Sequence, residues 1–290
     1  MVGVTDHGPW TRILVRDARD AFGGPAQIAR EWQPLHFTAP PDYRLAVAQY
    51  EHFVDLLQSA VPVVRCTGPA WEGLTLDAVY VRDAAVMTAR GAVLCRMGKA
   101  ARAREPQALA AAFESLGIPV AGAIEPPGTL EGGDVAWLGP RLVAVGRGYR
   151  TNDEGIRQLR ALLGDTVDDV IVVPLPHHRG PGDVFHLMSI LSPVDRDLAV
   201  AYSPLMPVPF RERLLSLGYG LVEVPGDEFE TMGANVLALA PRRCLMVNGN
   251  PKTRAALERV GAEVLVYEGS EISIKGGGGP TCLTRPLAWP

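Results

Sequence analysis

Two rhythms of apolar residues alternate along this chain. Short unbroken apolar runs suit strands buried on both faces. They are followed by stretches in which apolar residues return every three or four positions, as on one face of a helix. Residues 78–123 carry this order once in full. Segments 78–88 and 92–96 read as a strand pair about the turn Ala89-Arg90-Gly91. Residues 105–116 read as a helix with Leu109, Ala112, Phe113 and Leu116 on one face, and Gly117 stands where a helix C-terminal glycine belongs. Residues 118–123 read as a further strand.

The order then returns. Strands at 134–138 and 142–145 precede a helix capped by Thr151 or Asn152 and stopped at Gly164, and a strand at 170–175 follows. Strands at 186–191 and 198–202, with 193–197 as their turn, precede a helix at 209–217 and a strand at 221–224. Strands at 235–239 and 244–247 precede a helix with Asn250 as cap, Pro251 at its first position and Gly261 at its end, and a strand at 264–267. A strand at 13–16, a helix at 43–57, a strand at 62–65 and a strand around Cys282 and Leu283 complete a fifth unit if the two chain ends pair. The expected fold is therefore α/β: repeated ββαβ units with pseudo-five-fold symmetry, closed as a five-bladed α/β propeller. A closed ring leaves no open edge between first and last repeat, and a period of roughly 50 residues marks radial architectures. The alternative is an open α/β sandwich. Residues 1–290 are read as a single catalytic domain. Segment 16–41, rich in Gly, Pro, Asp and Ala, reads either as a lid or as an ordinary surface connection.

The repeat gives a few polar residues a shared address near the start of the hairpin strands. They lie in DAVYVRD (77–83), EGGD (131–134), FHLMS around His186 and GGGGPTCLT around Cys282. Asp83 to Glu131 is 48 residues, Glu131 to His186 is 55, and His186 to Cys282 is 96, twice 48. In a ring, equivalent positions converge on the axis, so the spacing predicts one pocket holding a thiol, an imidazole and several carboxylates. A cysteine with a distant histidine is a nucleophile pattern. Cys282 follows Gly276–Gly279 and Pro280, a run suited to a tight or mobile backbone. Cys66, Cys95 and Cys244 sit in apolar strands and read as inert buried thiols. His186 between Phe185 and Leu187 would by itself read as a hydrogen-bonded core histidine; Cys282 gives it a second reading. His177 and His178 read as surface residues of a Pro-rich loop. Asn235 lies 49 residues after His186 and 47 before Cys282, and either faces the pocket or bonds its own turn. Carboxylates beside a thiol suit a planar guanidinium, whose donors form a fixed fork.

Composition narrows the partners. Of 290 residues, 47% are hydrophobic and 21% charged, as in a soluble globular protein. The net charge of -4 with no basic run argues against nucleic acid. No apolar run of about 18 residues suggests a membrane span, and the start of the chain lacks an apolar secretion signal. The four cysteines form no CxxC pair, which leaves a zinc site or disulfide framework unsupported. The expectation is a cytoplasmic enzyme needing no cofactor or metal, with a small guanidino molecule as partner. A homodimer is left open.

Six ordered motifs resemble a known family: LDAVYVRD, RMGKAARAREP, GTLEGGD, GRGYRTNDEG, FHLMS and GGGGPTCLT. They are similar to those of the guanidino-group modifying enzymes of the pentein superfamily, and within it to dimethylarginine dimethylaminohydrolases. The resemblance runs from residue 76 to 288 and is weaker before that. It implies a five-bladed α/β propeller. It also implies Cys282 as nucleophile, His186 as general acid/base, Glu131 as the carboxylate holding both the histidine and the guanidinium, and Asp83 as the ligand of guanidine nitrogens. Asp77 is implied as another pocket acid, and Arg102 and Arg150 as the pair gripping a substrate α-carboxylate. The implied reaction passes through a covalent Cys282 adduct and gives citrulline and an alkylamine from an N-substituted arginine such as dimethylarginine.

Two positions depart from the pattern. Met188 stands where arginine deiminases and amidinotransferases of the superfamily carry an aspartate, which favours a substituted guanidine. Arg82 stands where dimethylarginine hydrolases usually carry a glutamate, and the pair Arg82-Asp83 looks more like arginine deiminases. An arginine deiminase, a citrulline-type ureido hydrolase and an amidinotransferase are therefore the alternative activities. A catalytically dead ring used as a binding module is a different class, and the retained nucleophile, base and carboxylates argue against it.

Overall fold

The computed structural model of the chain describes residues 4–183 and 185–288. It is an α/β fold with five three-stranded sheets. In four of them the sheet is read directly along the chain. Gly91–Leu94 lies between Ala85–Thr88, antiparallel, and Val120–Ala123, parallel. Leu142–Arg147 lies in the same way between Val135–Gly139 and Asp169–Pro174. Leu198–Ala201 lies between Leu191–Asp195 and Gly220–Glu223, and Arg243–Val247 between Leu237–Ala240 and Glu263–Tyr267. The parallel connection requires a crossover, and helices Glu105–Ser115, Asp153–Leu163, Val208–Ser216 and Pro251–Arg259 supply it. The remaining sheet joins the chain ends. Arg12–Val15 pairs antiparallel with Arg285–Leu287 and parallel with Val63–Arg65, with helix Tyr43–Gln58 as the crossover. No helix among the described residues is long and apolar enough to cross a membrane.

Burial grades across each sheet. The first strand of each hairpin is almost wholly buried, as its unbroken apolar run requires, whereas the third strands are largely exposed or half-buried, with at most two buried positions each. Helix Tyr43–Gln58 buries Tyr50, Phe53 and Leu57 completely, and the Phe53 ring sits 4.8 Å from that of Tyr267. Asp42 caps this helix by accepting from Leu45 N at 2.8 Å, and Asn152 caps helix Asp153–Leu163 by accepting from Gly155 N at 2.8 Å.

Several expected boundaries move, each for a physical reason. Residues 78–84 are not strand: Leu76–Val79 is a 3₁₀ turn, and the strand begins at Ala85. His186 precedes a 3₁₀ turn, Leu187–Ser189, and the strand begins at Leu191. Cys282 lies in a turn, and the last strand is Arg285–Leu287. These segments close on local bonds such as Tyr80 N to Asp77 O at 2.9 Å and Ser189 N to His186 O at 3.0 Å. A side chain on such a turn is free of the alternation that a ladder imposes. Pro193, expected in a turn, lies in strand Leu191–Asp195 opposite Ala199. That strand is an edge of its sheet, where the missing N–H is tolerated. Asn250 stands at the expected helix start, but its amide donates to Thr231 O and Val247 O. The first-turn donors Lys252 N and Thr253 N are met instead by Glu228 from a neighbouring short helix. Segment 16–41 contains helices Ala18–Phe22 and Pro25–Glu31, and buries Phe22, Ile28, Leu35 and Phe37.

Candidate active site

The turns ahead of the inner strands bring their polar side chains to one place. Glu131 is fully buried and accepts from Gly98 N at 2.9 Å, Lys99 N at 3.2 Å and Arg150 Nη1 at 3.0 Å. Its other close partner is His186 Nε2 at 2.7 Å. Asp83 accepts from Gly133 N at 3.0 Å and Arg102 Nη1 at 2.6 Å, and its Oδ1 lies 3.9 Å from His186 Nδ1. The imidazole is thus held between two carboxylates, and its backbone N–H donates to Ser189 Oγ at 3.1 Å. Gly133 is what lets these groups meet. A Cβ there would stand 2.7 Å from His186 Nδ1 and 2.8 Å from Asp83 Oδ1.

Cys282 is partly open to the cleft. Asn235 Nδ2 approaches its Sγ at 3.5 Å, while Asn235 Oδ1 accepts from Thr281 N at 3.0 Å and Thr281 Oγ1 at 2.9 Å. Of its two readings, Asn235 therefore takes the one facing the pocket. Gly279 permits this, because a Cβ would meet Asn235 Cγ at 2.5 Å.

Burial alone would lower the His186 pKa, but the negative charges of Asp83 and Asp134 and the hydrogen bond it donates to Glu131 outweigh it and lift it to about 9. Burial would raise Glu131; the His186 bond and charge, then Arg150 and Arg102, hold it far below the ordinary carboxylate range. Burial and the Asp83 charge push the Cys282 thiol up, against the Thr281 and Asn235 hydrogen bonds and the Arg82 charge. Near neutral pH the site thus holds a Cys282 thiol, a His186 imidazolium and the Glu131 carboxylate. One outcome is measurable: iodoacetamide alkylation of Cys282 in the free protein should accelerate with pH, with a midpoint above the value of about 8.5 for an unperturbed thiol. Rapid, pH-independent labelling near neutrality contradicts this. Cys66, Cys95 and Cys244 are buried, with thiols pushed up to about 12 for Cys66 and Cys244 and higher still for Cys95, as their inert reading requires.

The two expected carboxylate-gripping arginines are present but engaged. Arg102 donates through Nε and Nη2 to Glu105, through Nη1 to Asp83 and through Nη2 to Tyr80 O. Arg150 is paired with Glu131. Asp77 binds Lys99 Nζ at 2.5 Å, and Lys99 also donates to Leu35 O at 2.8 Å. Arg82 is turned to Asp6, 2.7 Å away, and its Nε meets Met188 Sδ at 3.2 Å, so its charge is neutralised from the N-terminal segment. His177 is exposed and bonds Tyr149 Oη at 2.7 Å, but His178 departs from its surface reading. Its ring lies 5.4 Å from Phe185 and 6.1 Å from Phe229, and it lines the cleft.

Sequence reasoning missed Glu105, Lys99 and Asp6. Glu105 follows Arg102 by three residues, a helical ion-pair spacing that was available as a signal. Nothing in the sequence pointed to Asp6.

Two lobes meet at Cys282 and His186. The smaller, about 20 Å³, is lined by Asp77, Tyr80, Asp83, Lys99, Arg102 and Arg150. The larger, about 250 Å³, opens on the side of Phe185, Met188, Phe229, Met232 and Ile274. Among the described residues, Asp83, Glu131 and His186 are the group whose donor atoms lie close enough, within 4.8 Å, to share a metal. Those atoms already bond one another's partners and the two arginines, which suits a charge network.

The sequence profile of the family described as Arginine deiminase matches residues 77–220 and 210–288. An N(G),N(G)-dimethylarginine dimethylaminohydrolase of Streptomyces coelicolor is 32% identical over 85% of this chain and 87% of its own length. A solved dimethylarginine dimethylaminohydrolase of Pseudomonas aeruginosa, a cysteine-to-serine variant complexed with citrulline, is 25% identical with a TM-score of 0.76, covering 97% of this chain and 100% of that one. A histidine-to-glycine variant of a dimethylarginine dimethylaminohydrolase, solved as an adduct with S-methyl-L-thiocitrulline, is 26% identical with a TM-score of 0.77, covering 96% of this chain and 100% of that one.

Proposed function

This chain belongs to the arginine deiminase family, and from that membership we propose that it is a cysteine-dependent hydrolase of the guanidino carbon of an N-substituted arginine such as dimethylarginine. The observation that carries this reading is His186 held between Glu131 at 2.7 Å and Asp83 at 3.9 Å on the cleft that Cys282 also lines. Relatives that act on dimethylarginine support it.

Asp83 and Glu131 orient a guanidinium and keep it charged, which makes its central carbon electrophilic. The arriving cation favours the Cys282 thiolate, whose pKa the free site holds high, and the thiol proton passes to solvent as the substrate binds. The thiolate forms a C–S bond. His186, already protonated, gives its proton to the departing amine as the C–N bond breaks. Neutral His186 then takes a proton from water, which adds to the amidino-thioether carbon, and the thiolate leaves with citrulline released. Arg102 and Arg150 receive the α-carboxylate. Asp77 exchanges Lys99 for the substrate ammonium, which also opens the small lobe.

We further propose that the five sheets close as a five-bladed propeller around this cleft, one catalytic domain throughout. The pairing of the chain ends in one sheet supports closure. So does the packing of strand Leu191–Asp195 against both Val135–Gly139 and Leu237–Ala240.

A substrate panel tests the reading. Dimethylarginine should yield dimethylamine and citrulline, and a guanidine lacking the α-carboxylate, such as agmatine, should have kcat/KM lower by about 100-fold or more. Ammonia from unsubstituted arginine as the dominant product places the chain with the deiminases. Equal rates with and without the carboxylate remove Arg102 and Arg150 from substrate binding.

A further inference from the structure

The two lobes on either side of Cys282 and His186 differ in size and chemistry. The small lobe is closed by buried ion pairs: Arg102 with Asp83, Arg150 with Glu131 and Lys99 with Asp77. The large lobe has an apolar inner wall built from Phe185, Met188, Phe229, Met232 and Ile274. Three of its residues are packed against neighbours. Phe229 stacks on Tyr202 with ring centroids 4.0 Å apart, and the His178 ring packs against Phe185 and Phe229. Met188 is 2% exposed, with its sulfur against Arg82, which Asp6 neutralises. Of the charged groups beside this lobe, Arg179 and Glu230 are exposed and paired with each other, half-buried Lys275 is paired with buried Glu271, and Asp183 is half-buried.

A zwitterionic amino-acid end would lose hydration against this apolar wall. An uncharged substituent on the departing nitrogen would gain by burial there. Size then selects the substituent. The lobe measures about 250 Å³, whereas a cavity of roughly 150 Å³ already admits a benzene ring. Two methyl groups leave most of it unfilled.

We infer that the large lobe is the seat of the leaving amine and that the preferred substrate is a guanidine bearing an apolar or aromatic N-substituent larger than two methyl groups. This rests on the hydrolase reading above. The bond broken is the one between the guanidino carbon and the substituted nitrogen. That nitrogen departs as the free amine with the proton from His186, and water supplies the oxygen of the ureido product.

The test compares kcat/KM for Nω-methyl-, Nω,Nω-dimethyl-, Nω-propyl- and Nω-benzyl-arginine with the wild-type protein, identifying each released amine by mass spectrometry. Propyl and benzyl substrates should exceed the methyl substrate by about tenfold. Ile274→Trp, which fills the lobe, should lower the benzyl-to-methyl ratio by about tenfold. Release of methylamine and dimethylamine with rates that fall at each enlargement overturns the lobe assignment alone. An unchanged ratio in folded Ile274→Trp overturns it as well. No amine from any of the four overturns the hydrolase reading, and this inference with it.

Discussion

Cys282→Ala should lower kcat for dimethylarginine by about 10⁴-fold or more while the affinity for a guanidine ligand stays within a few-fold, since a nucleophile has no substitute in a covalent route. The groups that hold the guanidinium, Asp83 and Glu131, do not touch Cys282 for their own support. Glu131 rests on Gly98 N, Lys99 N, Arg150 and His186, and Asp83 on Gly133 N and Arg102. Loss of the thiol therefore leaves the binding carboxylates in place. Isothermal titration with substrate on the inactive variant checks the affinity, and amine release checks the rate. Residual turnover within tenfold of wild type contradicts the covalent route.

Glu131→Gln should act on both chemistry and stability. Glu131 is fully buried and is the partner of two cationic groups, Arg150 and His186. Removing one member of a buried charge network leaves the others uncompensated, at a cost of about 3 kcal/mol, which lowers Tm by several degrees. The imidazolium also loses support, so the proton donor for the leaving amine is depleted near neutral pH and kcat should fall by about 10³-fold. The pH dependence fixes the sign. The His186 pKa is raised on folding to about 9. Its charged form therefore stabilises the folded chain fully below the unfolded value of about 6.5, and that contribution is lost as pH rises through about 9. In Glu131→Gln the His186 loss should move to lower pH, seen as an earlier fall of Tm on the alkaline side. A variant with wild-type Tm and an unchanged alkaline profile contradicts the assigned network.

The repeat was legible because burial imposes it. The inner strands, such as Ala85–Thr88 and Leu198–Ala201, are buried on both faces and so are written as unbroken apolar runs. The pairing of the chain ends was legible as the completion of a fifth unit, although the C-terminal partner is Arg285–Leu287 rather than the stretch around Cys282. Boundaries failed where one set of letters serves two purposes. Val79, Tyr80 and Val81 look like strand but form the turn that carries Asp83 inward, and they are buried there all the same. Cys282 was placed on a strand and lies on a turn. Its common address with His186 held because the turns occupy the same place in each unit. Within the site, residue types and spacing brought together Asp83, His186 and Cys282 on one cleft, with Glu131 buried behind His186. Their partners were less readable. Arg102 is neutralised by Glu105, three residues on, and Arg82 by Asp6, brought from the far N-terminal segment by folding alone. The Arg82 charge is thus answered by Asp6, and Met188 meets its Nε with a thioether. The shape of the large lobe depends on packing among Phe185, His178, Phe229 and Tyr202, which no local pattern encodes.

Covalent catalysis by Cys282 is the centre of this account, and acid quenching during turnover of dimethylarginine, followed by peptide mapping on a mass spectrometer, tests it most directly. The account predicts an amidino adduct on the peptide containing Cys282, formed no more slowly than turnover and absent from Cys282→Ala. Citrulline accumulating through repeated turnovers with the Cys282 peptide unmodified at every quench time would contradict it.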